Sequence, residues 1–454
     1  MDRILCLLIY LITAISRFSK FLARLGIGSY EEWEPGKKLK ILLVGYNGAR
    51  NTGSDVRVIA IARQIKDLFG KDHVRITVMT LDAKSLEGYF DEDVTLLPFS
   101  SLFPWHVYRA CSTHHAAILC EGSTLKSTFA NALTLFMCEA AGIMSCQGKP
   151  CIAYGSEIGH MEPFLEKAAI RLCKNTYFIT RTQGSLIALK ELGLQGHAGT
   201  DTAWFYDRAV NVEEADQMLM QQGWNGEKPL LGIAVINPFC WPVRASLWKW
   251  VKGICGGNLS GQYDKWYFFS DSPSRRKAYH RYIQKIARAV GSFLSKYDYF
   301  PVLIGMERLD EKACHAFMEQ LPCPGAMFLS GDCSADVMTG ILRRFSLVVT
   351  SRYHAAVLSM EKGCPIVAVS MDERLDGIMQ ELSLDQKYLL YVTEKDLSKK
   401  LYSAMLDACS DYETIHRQIQ SQLVKYQGKL ADMGVFLKRY MQDALQYSER
   451  WKLL

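Results

Sequence analysis

The sequence predicts an α/β protein of two Rossmann-like parallel-sheet domains facing a cleft, with an amphipathic helix at its amino end. Three observations carry this. The 454 residues exceed what one hydrophobic core fills, since cores stop growing at roughly 250 to 300 residues. Short apolar, β-branched runs alternate with helical stretches in both halves, the pattern of parallel sheets covered on both faces. Several runs end in turns of small and charged residues, outside the carboxyl ends of strands where open α/β sheets bind ligands. An apolar fraction of 49% with 13 prolines indicates a chain folded throughout. The net charge of +6 is modest and gives no reason to expect nucleic acid, while it suits anionic small molecules or lipid surfaces. Fourteen cysteines without a C-x-x-C pair fit reduced thiols in a cytoplasmic protein better than a disulfide framework or a zinc site, and no metal cluster is visible.

Residues 1–30 form the first unit. Ile4 to Ile15 is nearly all apolar, and Arg17, Lys20 and Arg24 follow at helical spacing with Phe18, Phe21, Leu22 and Leu25 on other faces. About twelve apolar residues fall short of the roughly twenty that span a bilayer. The segment therefore predicts a helix lying in the membrane interface, its basic face on anionic headgroups, and a protein held peripherally at the cytoplasmic face. A cleaved signal is disfavoured because no small-x-small site follows. A short true span with its cations on the cytoplasmic side is the competing arrangement.

The first α/β domain is assigned to residues 38–210. Lys40 to Val44 reads as a buried strand, Gly45 to Asp55 as a glycine-rich loop, and Val56 to Phe69 as a helix. The glycine spacing is not that of a dinucleotide or Walker loop, and a turn needed only for packing explains it equally well. Strand-like runs follow at Arg75 to Thr80, Ala116 to Cys120, Cys151 to Tyr154 and Tyr177 to Thr180. Three end in the turns Glu121-Gly122-Ser123, Gly155 to Gly159 and Arg181 to Ser185. Arg181 supplies a candidate cation. Glu121 and Glu157 are carboxylates suited to take a proton or hold a sugar hydroxyl, or simply to cap the next helix.

A charged stretch, Val212 to Gly226, leads to a second α/β domain at residues 228–392. Its strands are expected at Leu230 to Ile236, Trp266 to Phe269, Pro301 to Gly305, Ala326 to Ser330, Leu347 to Thr350 and Pro365 to Ser370. Thr350 to Ser370 reads as strand, turn, helix, strand, which places Ser351, Arg352 and His354 at a sheet mouth, where one permanent cation, an imidazole and helix-start amides converge on an anion; the alternative is that Arg352 caps a neighbouring carboxylate and His354 is an ordinary helix-start histidine. Two such units opposed make a GT-B-like arrangement. Phe239, Trp241, Trp248 and Trp250, with Arg244 and Lys249, suit a sugar or lipid headgroup and equally a packed loop. The basic run Arg275, Arg276, Lys277, His280, Arg281, Lys285 and Arg288 reads as a solvated helix face or a phosphate-surface contact. Residues 393–454 are expected as helices packing back across the halves.

The order of these motifs resembles the polysaccharide pyruvyl transferase family over about Lys40 to Leu384. The loop from Gly45 to Asp55 is similar to that family's G-Y-x-G-x-x-N-x-G-D-E, with Gly48, Asn51, Gly53 and Asp55 at matching positions. Glu121-Gly122-Ser123 stands where G-G-S is usual, Gly155 to Gly159 where G-Q-G-I-G-P is usual, Arg181 to Ser185 where R-D-x-x-S is usual, and Asp201 where D-P-A-F begins. Arg352-Tyr353-His354 matches R-L-H, and Gly363 to Ser370, Asp376-Gly377 and Glu381-Leu382 follow the pattern to its end. Ser54, Glu121, His160 and Thr182 depart from it.

The resemblance implies transfer of a pyruvyl group from phosphoenolpyruvate onto two hydroxyls of one sugar in a cell-surface polysaccharide or its lipid-linked precursor, giving a cyclic ketal and phosphate. Phosphoenolpyruvate is then a co-substrate, and no cofactor is called for. By similarity Arg352 and His354 hold the donor, with Arg181 a partner and Tyr353, Ser351, Gly48, Asn51, Gly53, Gly122, Ser123 and Gly155 lining the site. His354 is expected as the acid that protonates the methylene, and Asp55 or Glu157 as the base for the sugar hydroxyl. The alternatives are a GT-B-type glycosyltransferase using a nucleotide-sugar, and a membrane-docked, non-catalytic protein of the same fold.

Overall fold

In the computed structural model, residues 1–99, 103–206, 212–245 and 267–450 are described. The first half carries strands β1 (Leu39–Val44), β2 (Val74–Thr80), β3 (Val94–Pro98), β4 (Ala116–Leu119), β5 (Cys151–Ser156), β6 (Tyr177–Thr180) and β7 (Gly196–Ala198). They form one sheet in the order β3-β2-β1-β4-β5-β6-β7, parallel throughout. Ile41, Leu42, Leu43 and Val44 are all fully buried, because helices cover both faces of the sheet and no side is left for polar residues. The chain leaves β1 for β2 and β3, then crosses back to β4. That reversal opens a crevice at the carboxyl ends of β1 and β4.

The second half repeats the plan. Strands β8 (Leu230–Ala234), β11 (Phe300–Gly305), β12 (Ala326–Leu329), β13 (Phe345–Thr350), β14 (Ile366–Ser370) and β15 (Leu389–Tyr391) form a parallel sheet ordered β12-β11-β8-β13-β14-β15. Its reversal lies at β8, between β11 and β13. The expected strand from Trp266 to Phe269 is corrected: only β10 (Tyr267–Phe268) forms, antiparallel to β9 (Arg244–Ala245) and outside the parallel sheet. The unanticipated strands β3, β7 and β15 are edge strands of three to five residues, partly exposed and too short to stand out as buried runs.

Helix α1 (Asp2–Ser16) and the short α2 (Ser19–Arg24) lie against the first half. Helix α3 (Thr52–Phe69) begins four residues earlier than its apolar periodicity suggests, because Asn51 caps it by accepting from Ser54 N at 3.2 Å. The long final helix, Tyr412–Arg450, sets Ile415, Ile419, Leu423 and Tyr426 into the second half's core and Met433, Leu437 and Met441 into the first half's. Val56 and Ile59 of α3 join the second core as well, so the two halves share packing and not only a linker.

The Trp241 loop is packed. Trp241 is buried edge-on to Phe129 of the first half at 5.1 Å, Val243 N donates to Phe129 O at 2.8 Å, and Arg275 donates to the carbonyls of Phe239 and Trp241. Of the proposed aromatic cluster, Trp248, Lys249 and Trp250 lie outside the described residues.

Candidate active site

The charged side chains that meet at the junction of the halves come from the loops at the carboxyl ends of strands and from the opening turns of the helices that follow them. The β1 loop ends at the start of α3. Gly48 there has a φ of 70°, and a Cβ would collide with Thr80, so only glycine makes this turn. Thr52 N then donates to Met306 O at 3.0 Å, Thr52 and Ser330 hydroxyls meet at 3.0 Å, and Tyr46 donates to Glu307 at 3.2 Å. Asn51 and Glu307 pair as an isolated antiparallel bridge. The glycine-rich loop is thus the seam with the loops after β11 and β12.

Behind it runs a chain of buried charges in the first half. Lys126 Nζ lies 2.7 Å from Glu157, Glu157 pairs with Arg181, Arg181 reaches Asp201 at 3.1 Å, and Asp201 holds Arg57 at 2.7 Å. Arg57 also donates to the carbonyls of Tyr154 and Gly155 at 3.0 and 2.9 Å. A Cβ on Gly122 would lie 2.8 Å from the Arg181 guanidinium, and Gly155, with a φ of 65°, would bring one to 3.1 Å from Thr200 O and 3.3 Å from the Arg57 guanidinium. Ser123 N donates to Glu121 at 3.1 Å, which ties that turn to itself. Burial works to raise the Asp201 carboxyl, but Arg57, His354 and Arg181 together hold it well below the usual range.

From the second half, Arg352, Tyr353 and His354 follow β13. Tyr353 is buried with its ring under Arg181, 4.2 Å from ring centre to guanidinium. Ser351 is engaged with the Tyr282 hydroxyl at 2.7 Å. His354 Nε2 is 3.7 Å from Asp201, beyond hydrogen-bonding reach, and the other side of its ring rests on Gly53. Burial lowers the imidazole's pKa against the pull of Asp201, so the ring is neutral at pH 7. Lys126 also spans the junction to Glu373 at 3.0 Å.

Two sequence expectations need correction. Arg352 does not stand open to an anion: it is buried, with Nε 2.8 Å from Asp310, a second bond to the same carboxylate, and Glu307 at 3.4 Å. Glu157 is not an available base, because Lys126 and Arg181 hold its two oxygens. Asp55 is different. It is fully buried, Gly48 N satisfies one oxygen, and Oδ1 has no partner. Burial pushes this carboxyl up to about 8, so it carries its proton at neutral pH. His354 Nε2 is likewise buried and without a hydrogen-bond partner.

Sequence reading missed Arg57, Lys126, Glu307 and Asp310. Arg57 sits two residues beyond Asp55 in what reads as a plain amphipathic helix. Glu307 and Asp310 follow the β11 run at a sheet mouth, and applying the same rim argument to that strand would have found them.

The family model for polysaccharide pyruvyl transferase matches residues 51–373, from the α3 cap to the loop after β14. No curated protein sequence matches the chain. Among solved structures, a UDP-GlcNAc 2-epimerase from Neisseria meningitidis bound to UDP-GlcNAc is similar with a TM-score of 0.54 at 10% identity, over 84% of this chain and 94% of that one. A putative UDP-N-acetylglucosamine 2-epimerase from Listeria monocytogenes gives 0.52 at 12% identity, over 84% and 91%. At such identity the likeness is one of fold, two parallel-sheet α/β domains.

Proposed function

The chain belongs to the polysaccharide pyruvyl transferase family, and from that membership we propose that it moves the pyruvyl group of phosphoenolpyruvate onto a sugar of a surface polysaccharide or its lipid-linked precursor, as a cyclic ketal. The observation that carries the reading is a pair of orphaned, buried polar atoms beside the junction, Asp55 Oδ1 and His354 Nε2. A buried polar atom without a partner costs about 1 to 3 kcal/mol, and a substrate that hydrogen-bonds to it recovers that penalty.

Their protonation reverses the roles expected from sequence. Asp55 holds a proton at pH 7 and His354 does not. Asp55 is therefore the acid that protonates the donor's methylene, leaving an oxocarbenium-like carbon. His354, with Asp201 placed to stabilise the imidazolium, takes the proton from the attacking sugar hydroxyl. The second hydroxyl closes the ketal as phosphate leaves, and its proton goes out with phosphate.

The donor is a small polyanion and needs cations. Arg57, Lys126 and Arg181 are the cations on the first half's side, facing Glu157 and Asp201 within that half and Glu373 across the junction. On the opposite side the donor takes the place of Glu307 on Arg352. Glu307 lies farther from that guanidinium than Asp310 does, and burial, opposed by Arg352, raises its carboxyl to about 7, so it leaves the pair by taking up a proton. Release of inorganic phosphate from phosphoenolpyruvate, dependent on a sugar acceptor, tests the reaction. A thermal shift tests the donor: a ligand at a hundred times its Kd stabilises by about 2.7 kcal/mol, and a shift with UDP-sugars in place of phosphoenolpyruvate would reassign the site.

A further inference from the structure

Helix α1 is fixed to the first half along one side. Ile9 is fully buried there, Cys6, Thr13 and Ser16 nearly so, and Asn131 donates to Asp2 at 3.0 Å while Gln147 donates to Ser19 at 3.0 Å. Helix α1 packs closely on the helix Asn131–Cys146, where a Cβ on Gly142 would lie 3.1 Å from Thr13 and 2.8 Å from Leu172. The side of α1 that faces outward is therefore set by the fold.

That outward side is apolar along its whole length. Ile4, Leu7, Leu11, Phe18, Phe21 and Leu25 are each between 58% and 67% exposed, and Leu8 and Ile15 fill the stripe between them. Trp105, also exposed, stacks at a tilt on Tyr108, whose hydroxyl meets Ser19 at 3.3 Å, so an indole borders the same surface beside α2. So continuous an apolar face is foreign to a surface that meets only water. Its flank is cationic. Arg3, Arg17 and Arg24 are exposed, Lys20 is paired with Glu32 at 2.8 Å, and the one carboxylate on α1 and α2, Asp2, is engaged with Asn131.

We infer that this face is a docking surface for an anionic lipid bilayer, lying in the interface with Ile4, Leu7, Leu11 and Phe18 among the acyl chains and Arg3, Arg17 and Arg24 at the headgroups. Apolar side chains opposite a packed face, bordered by cations and an indole, are the chemistry of an interfacial helix. Among the described residues no helix is long and apolar enough to cross a membrane, so the contact is a surface one. The geometry also relates bilayer to cleft. Asp2 is tied to Asn131, one residue past the loop that carries Lys126 and Phe129, so the amino end of α1 lies at the same rim as the junction. If the proposed reaction is right, a lipid-linked acceptor keeps its tail in the bilayer while its sugar reaches that rim.

Flotation of the full chain with vesicles tests the docking without donor or acceptor, so its outcome is separate from that of the reaction. Vesicles containing phosphatidylglycerol should carry the protein at least tenfold more than pure phosphatidylcholine, and raised salt should weaken the binding. Leu7→Glu with Leu11→Glu should abolish flotation with an unchanged circular dichroism spectrum and Tm, since both side chains are exposed. Arg17→Glu with Arg24→Glu should reduce it severalfold. Equal flotation of the glutamate variant, or no flotation of the unaltered chain, overturns the inference. So does self-association in lipid-free buffer that the glutamate variant abolishes while vesicles recover neither protein, which would make a second copy of the chain the occupant.

Discussion

Gly53 and His354 belong to opposite halves of the molecule, yet a Cβ at position 53 would overlap His354 Nδ1. The absence of a side chain at Gly53, on the first turn of α3, is what lets the imidazole lie within 3.7 Å of Asp201. Gly53→Ala should therefore act against helix propensity. Alanine in a helix is ordinarily favoured over glycine by about 1 kcal/mol, but here it displaces the ring. Turnover should fall at least tenfold, and Tm should drop. Gly184→Ala is the control, since it lies on another first helical turn with open space around it, and should stay within about 0.5 kcal/mol of wild type by denaturant titration.

Asp55 makes the protein's stability depend on pH in a definite direction. Its carboxyl rises from 3.8 to about 8 on burial, so between those values the folded state holds a proton that the unfolded state has lost. The stability this group contributes is complete below about pH 4 and is lost as pH rises through about 8, at up to about 1.4 kcal/mol per pH unit. Asp55→Asn should flatten the decline, leaving the variant at least as stable as wild type at pH 8. Its turnover should fall by about 100-fold or more, because the amide donates no proton to carbon. Denaturant midpoints at pH 5 and pH 8, read beside phosphate release, check both.

The architecture was legible in the sequence because both sheets are buried on two faces, so runs such as Ile41 to Val44 and Leu347 to Thr350 stand out without alternation. Edge strands such as Gly196–Ala198 were not legible, since three half-exposed residues leave no apolar signature. The glycine-rich loop and the Arg352-Tyr353-His354 turn were found by their place at strand ends, and the structure brings them together. Their protonation and partners were beyond reach, because these depend on Asp310, Glu307 and Asp201, which approach only when distant strands are set side by side. A guanidinium near a glycine turn looks alike in sequence whether it faces a ligand or a buried carboxylate.

Glu307 should govern donor affinity through Arg352. Replacing its carboxylate by an amide removes the competitor for the guanidinium while keeping the bridge to Asn51 in the backbone. Glu307→Gln should lower the KM for phosphoenolpyruvate severalfold at pH 8, where wild-type Glu307 is ionised, and change it little at pH 6, below its carboxyl's value of about 7. Arg352→Lys should raise that KM in both backgrounds, because lysine cannot form the two-point contact to Asp310 that holds the group in place.

Asp201 and His354 are neighbours with unequal burdens, and their substitutions should separate stability from chemistry. Asp201 neutralises Arg57 and Arg181, both buried. Asp201→Asn leaves those guanidinium groups under-compensated and should cost about 3 to 5 kcal/mol, with turnover lost through misfolding as much as through chemistry. His354 donates no hydrogen bond from Nε2 and its side chain is partly exposed, so His354→Gln should cost about 1 kcal/mol or less. Its kcat should fall by about 100-fold while the thermal shift given by phosphoenolpyruvate persists. A His354→Gln protein with near-normal kcat would remove the imidazole from the proton transfer and leave Asp201 as a purely structural carboxylate at the junction.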